Sequence, residues 1–75
     1  MRKEYHERYR SIGLNIAFYR RHRHLTQEKL SEMVNISRTH MSRIEVADCA
    51  VSLDVLFSLA DALEVEPYKL LQDKL

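Results

Sequence analysis

The sequence predicts an all-α domain of five short helices. Three observations carry this. Turn chemistry for a β fold is missing: Gly13 and Pro67 are the only residues of their kind, and no Asn-Gly or Asp-Gly pair occurs. Apolar residues instead recur at spacings of three and four, and Ser or Thr stands just before several of these periodic segments. At 75 residues the chain has room for one compact core, so residues 1–75 are read as a single domain.

Helix 1 is predicted from about Lys3 to Arg23, because Tyr5, Tyr9, Ile12, Ile16 and Tyr19 fall on one stripe. Gly13 lowers helix propensity by about 1 kcal/mol relative to Ala, which suits a place where a neighbouring helix comes close. Leu14 and Phe18 lie off the stripe and form a second apolar patch, a candidate partner surface.

Thr26 caps helix 2, whose predicted buried face is Leu30, Met33 and Val34. Lys29 at the third helical position leaves the capping box incomplete, while Glu28 places a negative charge in the first turn. The helix is expected to end at Asn35, a residue that enters the left-handed region without large strain. Ser37 then caps helix 3, Arg38 to about Val46, with Met41 and Ile44 inside. With only Asn35 and Ile36 between them, helices 2 and 3 must meet at a steep angle.

Ser52 caps helix 4, Leu53–Leu63, with Leu53, Leu56, Leu59, Ala60 and Leu63 at core spacing. Glu64 to Glu66 form a break. Pro67 suits the first position of helix 5, read as Pro67 to Leu75, with Leu70 and Leu71 as its apolar contacts. No repeat or low-complexity stretch is present.

Charge is unevenly distributed. Residues 1–24 hold seven Lys/Arg against two Glu, residues 25–46 three of each, and residues 47–75 two Lys against six Asp/Glu. A basic front and an acidic back suit a chain with one surface turned to a polyanion. The single Cys49 excludes an internal disulfide, and no hydrophobic run has the ~18 residues of a membrane span or the pattern of a signal peptide. The chain is read as soluble and cytoplasmic, without a membrane role.

Two short helices joined by a tight turn, the second carrying Arg38, Thr39, His40, Ser42 and Arg43 around a narrow apolar seam, match a helix-turn-helix. A major groove about 12 Å wide admits one such helix, where Arg donates two hydrogen bonds to guanine and Thr offers a hydroxyl and a methyl. Other chemistry has little support. His22 and His24 are two residues apart, about 200° around a helix, and cannot share a metal on one face. Cys49 lacks the pocket and orienting group of a catalytic thiol and is read as a loop or core thiol. No enzyme activity, metal or cofactor is expected.

From Ile12 to about Leu71 the chain resembles the phage Cro and repressor family, also called the xenobiotic-response-element family. The matching residues are Ile12-Gly13 with Ile16 and Arg20, Leu25-Thr26-Gln27 with Leu30, Val34-Asn35-Ile36-Ser37, Met41-Ser42-Arg43-Ile44-Glu45, and Ser52-Leu53 through Leu56, Ala60 and Leu63. The resemblance implies a five-helix, lambda-repressor-like DNA-binding domain with helices 2 and 3 as the helix-turn-helix, preceded by a basic extension over residues 1–11. It implies that Gln27 binds a DNA phosphate and that Ser37, Arg38, Thr39 and Arg43 line the reading face. Thr26, His40 and Ser42 join Gln27 as expected phosphate contacts, and Arg20 is expected to pair with Glu45. Ser31 stands where the family usually has Ala. Ala47 stands where it commonly has Gly, so an atypical turn is expected over Val46–Val51.

The expected function is that of a sequence-specific, double-stranded-DNA-binding transcriptional regulator, such as a repressor. One reading helix covers about four or five base pairs, too few to select a genomic site, so a homodimer on a palindromic operator is expected. Leu70 and Leu71 of helix 5, or Leu14 and Phe18 of helix 1, are the candidate interfaces. With no second domain expected, activity would follow protein concentration. The alternative is an antitoxin or adaptor that uses the same fold to hold a protein partner. Gln27, Arg38 and Arg43 on one basic face favour DNA.

Overall fold

The computed structural model describes residues 1–73. A 3₁₀ turn, Lys3–Tyr5, leads into α1, His6–His22, followed by α2, Gln27–Met33, α3, Arg38–Glu45, α4, Leu53–Leu63, and α5, Pro67–Leu71. No strand is present among the described residues. None of the helices is long and apolar enough to cross a membrane.

Three helix starts follow the cap residues of the sequence. Lys29 N–H donates to Thr26 Oγ1 at 3.0 Å, His40 N–H to Ser37 Oγ at 3.0 Å, and Val55 N–H to Ser52 Oγ at 3.1 Å. Each hydroxyl thereby satisfies an amide that the first helical turn leaves free. Pro67 occupies the first turn of α5, where its missing N–H is no loss.

The helix ends are more unusual. α1 to α4 all close through a left-handed residue that is not glycine: His24, Asn35, Ala47 and Glu64, each with φ of 59° or 60°. The residue after each donates back into the helix it has just left: Leu25 N–H to Arg20 O, Ile36 to Ser31 O, Asp48 to Arg43 O and Val65 to Ala60 O, at 2.8–3.0 Å. This is the Schellman ending, which glycine usually supplies. Of the four, only Asn35 has a side chain that eases the conformation. The turn after α3 is therefore hydrogen-bonded in the same way as the other three, and the atypical turn expected at Ala47 is not found.

α1 is the central element, in contact with α3, α4 and α5, while α2 lies against α3 and α4. Ile16, Leu30, Met41, Ile44, Leu56, Leu59, Leu63 and Leu70 form the core. Gly13 is where α1 crosses the end of α3: a methyl group there would stand 2.7 Å from Ile44 O and closer still to Glu45 O.

Several expectations are corrected. Met33 is exposed, and Ser31 is buried in its place because its hydroxyl is satisfied inside α2 by donating to Glu28 O at 2.7 Å. Leu53 is exposed, as the first residue of α4 precedes the turn that meets the core. Tyr5 lies in the 3₁₀ turn, outside the register of the α1 stripe, and holds the guanidinium groups of Arg2 and Arg8 over its ring at 5.4 and 5.7 Å.

α5 ends at Leu71, with Gln72 extended, and not at Leu75. Of the expected final turn, residues 74–75 lie outside the described residues. The buried Asn15 of α1 accounts for the early exit: its Nδ2 donates to Leu70 O at 3.0 Å and Gln72 O at 2.8 Å, taking the carbonyls at the helix end. Ser11 Oγ adds a bond to Asp73 O at 2.7 Å. Asn15 Oδ1 has no partner among the described residues, the consequence of turning both amide hydrogens toward the carbonyls.

Candidate nucleic-acid interface

α3 has a clean division of faces. Met41, Ile44 and Glu45 are buried, whereas Arg38, Thr39 and Arg43 are exposed. Thr39 and Arg43, four residues apart, share the side directly opposite the core. His40 and Ser42 sit half-buried on the two flanks, and Ser37 is exposed at the start. The Ser37 hydroxyl oxygen already accepts the His40 amide, so it retains its O–H and one lone pair for a ligand. The same holds for Thr26, whose oxygen accepts the Lys29 amide.

The exposed face is held by a buried ionic cluster behind it. Arg20 of α1 meets Glu45 at the end of α3 side by side, Nε to Oε2 at 2.7 Å and Nη2 to Oε1 at 3.1 Å. Arg20 Nη1 also donates to Leu25 O at 2.9 Å, tying down the turn before α2. Gln27, the first residue of α2, donates Nε2 to Glu45 Oε1 at 2.9 Å. One carboxylate thus accepts three hydrogen bonds and fixes α1, the start of α2 and the end of α3 relative to one another. Gln27 is half-buried, and its Nε2 keeps a second hydrogen for an outside acceptor.

Arg43 is engaged on the surface. Its Nε faces Asp48 Oδ2 at 3.3 Å and its Nη2 donates to Asp48 O at 3.2 Å, with both side chains largely exposed. Nothing in the sequence pointed to Asp48, because the Schellman turn that brings it back over α3 rests on a left-handed alanine. Asn15 was missed as well; its one signal was its place three residues after Ile12 and four before Tyr19, on the buried side of α1.

Among the expected interface residues, Leu14 and Phe18 are 53% and 46% exposed and Leu71 is 52% exposed. Leu70 is fully buried within the chain and has no surface to offer a second copy, so it leaves the set. Cys49 is a half-buried free thiol packed against the core. No cluster of metal-ligating side chains is present among the described residues.

A model of the helix-turn-helix family matches residues 16–70, spanning α2 and α3 and most of the core around them. The chain belongs to the helix-turn-helix family. This helix-turn-helix protein is similar in structure to the restriction-modification controller protein C.AhdI from Aeromonas hydrophila, with a TM-score of 0.80 and 29% identity over 83% of this chain and 94% of that one. Two structures of the clp gene regulator ClgR from Corynebacterium glutamicum superimpose with TM-scores of 0.81 and 0.80 at 24% identity. They cover 84% of this chain and 67% and 82% of theirs, and at that identity they show the shared fold. No curated protein sequence matches the chain. The fold is the DNA-binding helix-turn-helix fold of transcriptional regulators.

Proposed function

We propose that this helix-turn-helix protein is a sequence-specific regulator of transcription that binds double-stranded DNA as a homodimer on a palindromic operator in the cytoplasm. The observation that carries the reading is the exposed face of α3, where Thr39 and Arg43 stand opposite the core, with Arg38 exposed at the start of the helix. Arg38, Thr39, Arg43 and Ser37 are assigned to base edges. Gln27, Thr26, His40 and Ser42 are assigned to the phosphates on either side, where they set orientation without reading sequence. The buried Arg20–Glu45–Gln27 cluster supports this division, since it holds the phosphate-binding start of α2 at a fixed distance from the reading helix. Similarity to a restriction-modification controller supports a regulatory role.

Selection of bound sequences from a random duplex library tests the reading. A palindromic consensus with half-sites centred about 10–11 base pairs apart is the expected result, because two identical reading helices on one face of DNA sit about one turn apart. Failure to enrich any sequence would overturn it.

A further inference from the structure

α1 ends in a cluster of side chains able to carry positive charge. Arg21 and His22 are its last two residues, Arg23 and His24 form the turn that follows, and all four are exposed. Arg21, His22 and His24 line one shallow groove together with Phe18, whose ring stacks on that of His22 with centroids 6.2 Å apart. Arg23 is neutralised by Glu64 of the turn after α4, Nη2 to Oε2 at 2.9 Å, whereas Arg21, His22 and His24 have no ion-pair partner among the described residues. Asp73 is the one carboxylate among the described residues lining the groove. It stands at the far end beside Ser11, whose hydroxyl donates to Asp73 O, and Ser11 is about 16 Å from His22 along the helix axis. On the other side, Glu28 is exposed in the first turn of α2.

From this cluster the chain passes directly to Thr26 and Gln27, the residues assigned to phosphates. The turn between them is rigidly held. Leu25 N–H donates to Arg20 O at 3.0 Å, and Leu25 O accepts from Arg20 Nη1 at 2.9 Å. Arg20 and Gln27 in turn share the Glu45 carboxylate. The buried network that fixes the start of α2 against α3 therefore also fixes the cluster beside the start of α2. Phosphates follow one another closely along a DNA strand, so a surface that holds one presents its flank to the next.

We propose that Arg21, His22 and His24 form a second site for a DNA phosphate, beside the one assigned to Thr26 and Gln27, and that its two histidines couple DNA affinity to pH. The inference rests on the DNA-binding reading. Arg21 supplies a permanent charge. Histidine side chains change charge between about pH 5 and pH 8, and protonation here sets like charge beside the Arg21 guanidinium. A phosphate opposes that repulsion and favours the charged imidazole. Binding thus draws protons onto the histidines, and by linkage the complex tightens as pH falls and weakens as pH rises. His40 on the flank of α3, itself assigned to a phosphate, adds to the effect. His6, in the first turn of α1 and about 24 Å from His22 along the axis, does not.

Fluorescence anisotropy on the full chain tests the site, with the selected duplex and a scrambled duplex of equal length, at constant ionic strength from about pH 6 to about pH 8. Circular dichroism melts establish that each variant is folded. The parent should bind both duplexes about tenfold more tightly at the lower pH, because each proton taken up on binding changes affinity by up to about tenfold per pH unit. His22→Gln and His24→Gln should each lower that ratio, and the double variant should leave only the part that His40→Gln removes. His6→Gln should leave the ratio unchanged. Arg21→Gln should reduce the slope of log affinity against log salt by about 0.9, the value of one phosphate contact. A parent indifferent to pH, a double variant with the parent's full ratio, or an Arg21→Gln protein with the parent's salt slope would each overturn the proposal. DNA selection separates the two readings. A palindromic consensus from a protein in which these variants change nothing would remove the site and leave the function standing. The expected variant pattern in a protein that selects no sequence would do the reverse.

Discussion

Gly13 of α1 lies directly against the carbonyl group of Glu45 at the end of α3. One missing side chain therefore sets how closely α3 approaches α1. It also explains an economy in the chain: the single glycine is placed at a helix crossing, while four helix ends that commonly use glycine take His, Asn, Ala and Glu. At the crossing the obstacle is backbone, which cannot turn aside as a side chain would.

Gly13→Ala sets two terms against each other. Alanine improves helix propensity by about 1 kcal/mol, but its methyl group must push the last turn of α3 away, and overpacking of that kind costs about 1–3 kcal/mol. Crowding of backbone against backbone places the outcome on the unfavourable side. A lower urea midpoint with unchanged slope is expected, and a midpoint equal to or above that of the parent would show that α3 yields freely.

Glu45→Gln tests the cluster behind the exposed face of α3. The Arg20 and Glu45 side chains are 10% and 5% exposed, so neutralising Glu45 leaves the Arg20 guanidinium buried without its counter-charge. Breaking a buried pair in this way costs about 3–5 kcal/mol, against about 0–1 kcal/mol for an exposed one. A large fall in melting temperature is expected. An unchanged one would mean that water reaches the pair in solution.

How much could be read in advance follows from the range of the interactions. Thr26, Ser37, Ser52 and Pro67 were legible because a cap acts within three residues of itself. Asn35 was legible because its side chain tolerates the left-handed region. His24 and Glu64 carry no such mark, and Ala47 was marked only by the family's usual Gly at its place. Spacing gave the direction of each apolar face but not its extent, and so Met33 and Leu53 were placed inside when they lie at the edge. Of the candidate site, the face of α3 followed from periodicity. The Arg20–Glu45 contact joins residues 25 apart and was available only through family resemblance, while the Asp48 and Asn15 contacts were not available at all.

His24→Gly should stabilise the protein. His24 is exposed, makes no side-chain hydrogen bond among the described residues, and holds φ at 59°. Glycine relieves about 1 kcal/mol or more of left-handed strain, and the greater freedom of the unfolded glycine chain takes back part of it, leaving about 0.5–1 kcal/mol. Thermal unfolding should move up by a few degrees. His24→Ala retains the strain and serves as the control; an equal gain from alanine would show that the backbone conformation is not the cause.

The surface pair between Arg43 and Asp48 sets up the final test, in which residues of one face are expected to respond differently. Arg38→Ala and Arg43→Ala should each weaken binding to the selected operator by about 1–3 kcal/mol and relax sequence preference at the base each one contacts. Gln27→Ala, lacking a phosphate donor, should weaken specific and non-specific DNA alike. Arg43 must leave Asp48 to reach DNA, but that pair is exposed and contributes about 0–1 kcal/mol. Asp48→Asn removes both the competing carboxylate and a negative charge beside the face proposed to meet DNA. Its effect should therefore be tighter binding, greatest at low salt and fading as salt screens the phosphates. Fluorescence anisotropy against operator and scrambled duplexes at several salt concentrations reads all four variants. Weaker binding by Asp48→Asn would mean that the carboxylate orients Arg43 for its base instead of competing with it, and an Arg38→Ala protein that bound operator as tightly as the parent would remove that residue from the reading face.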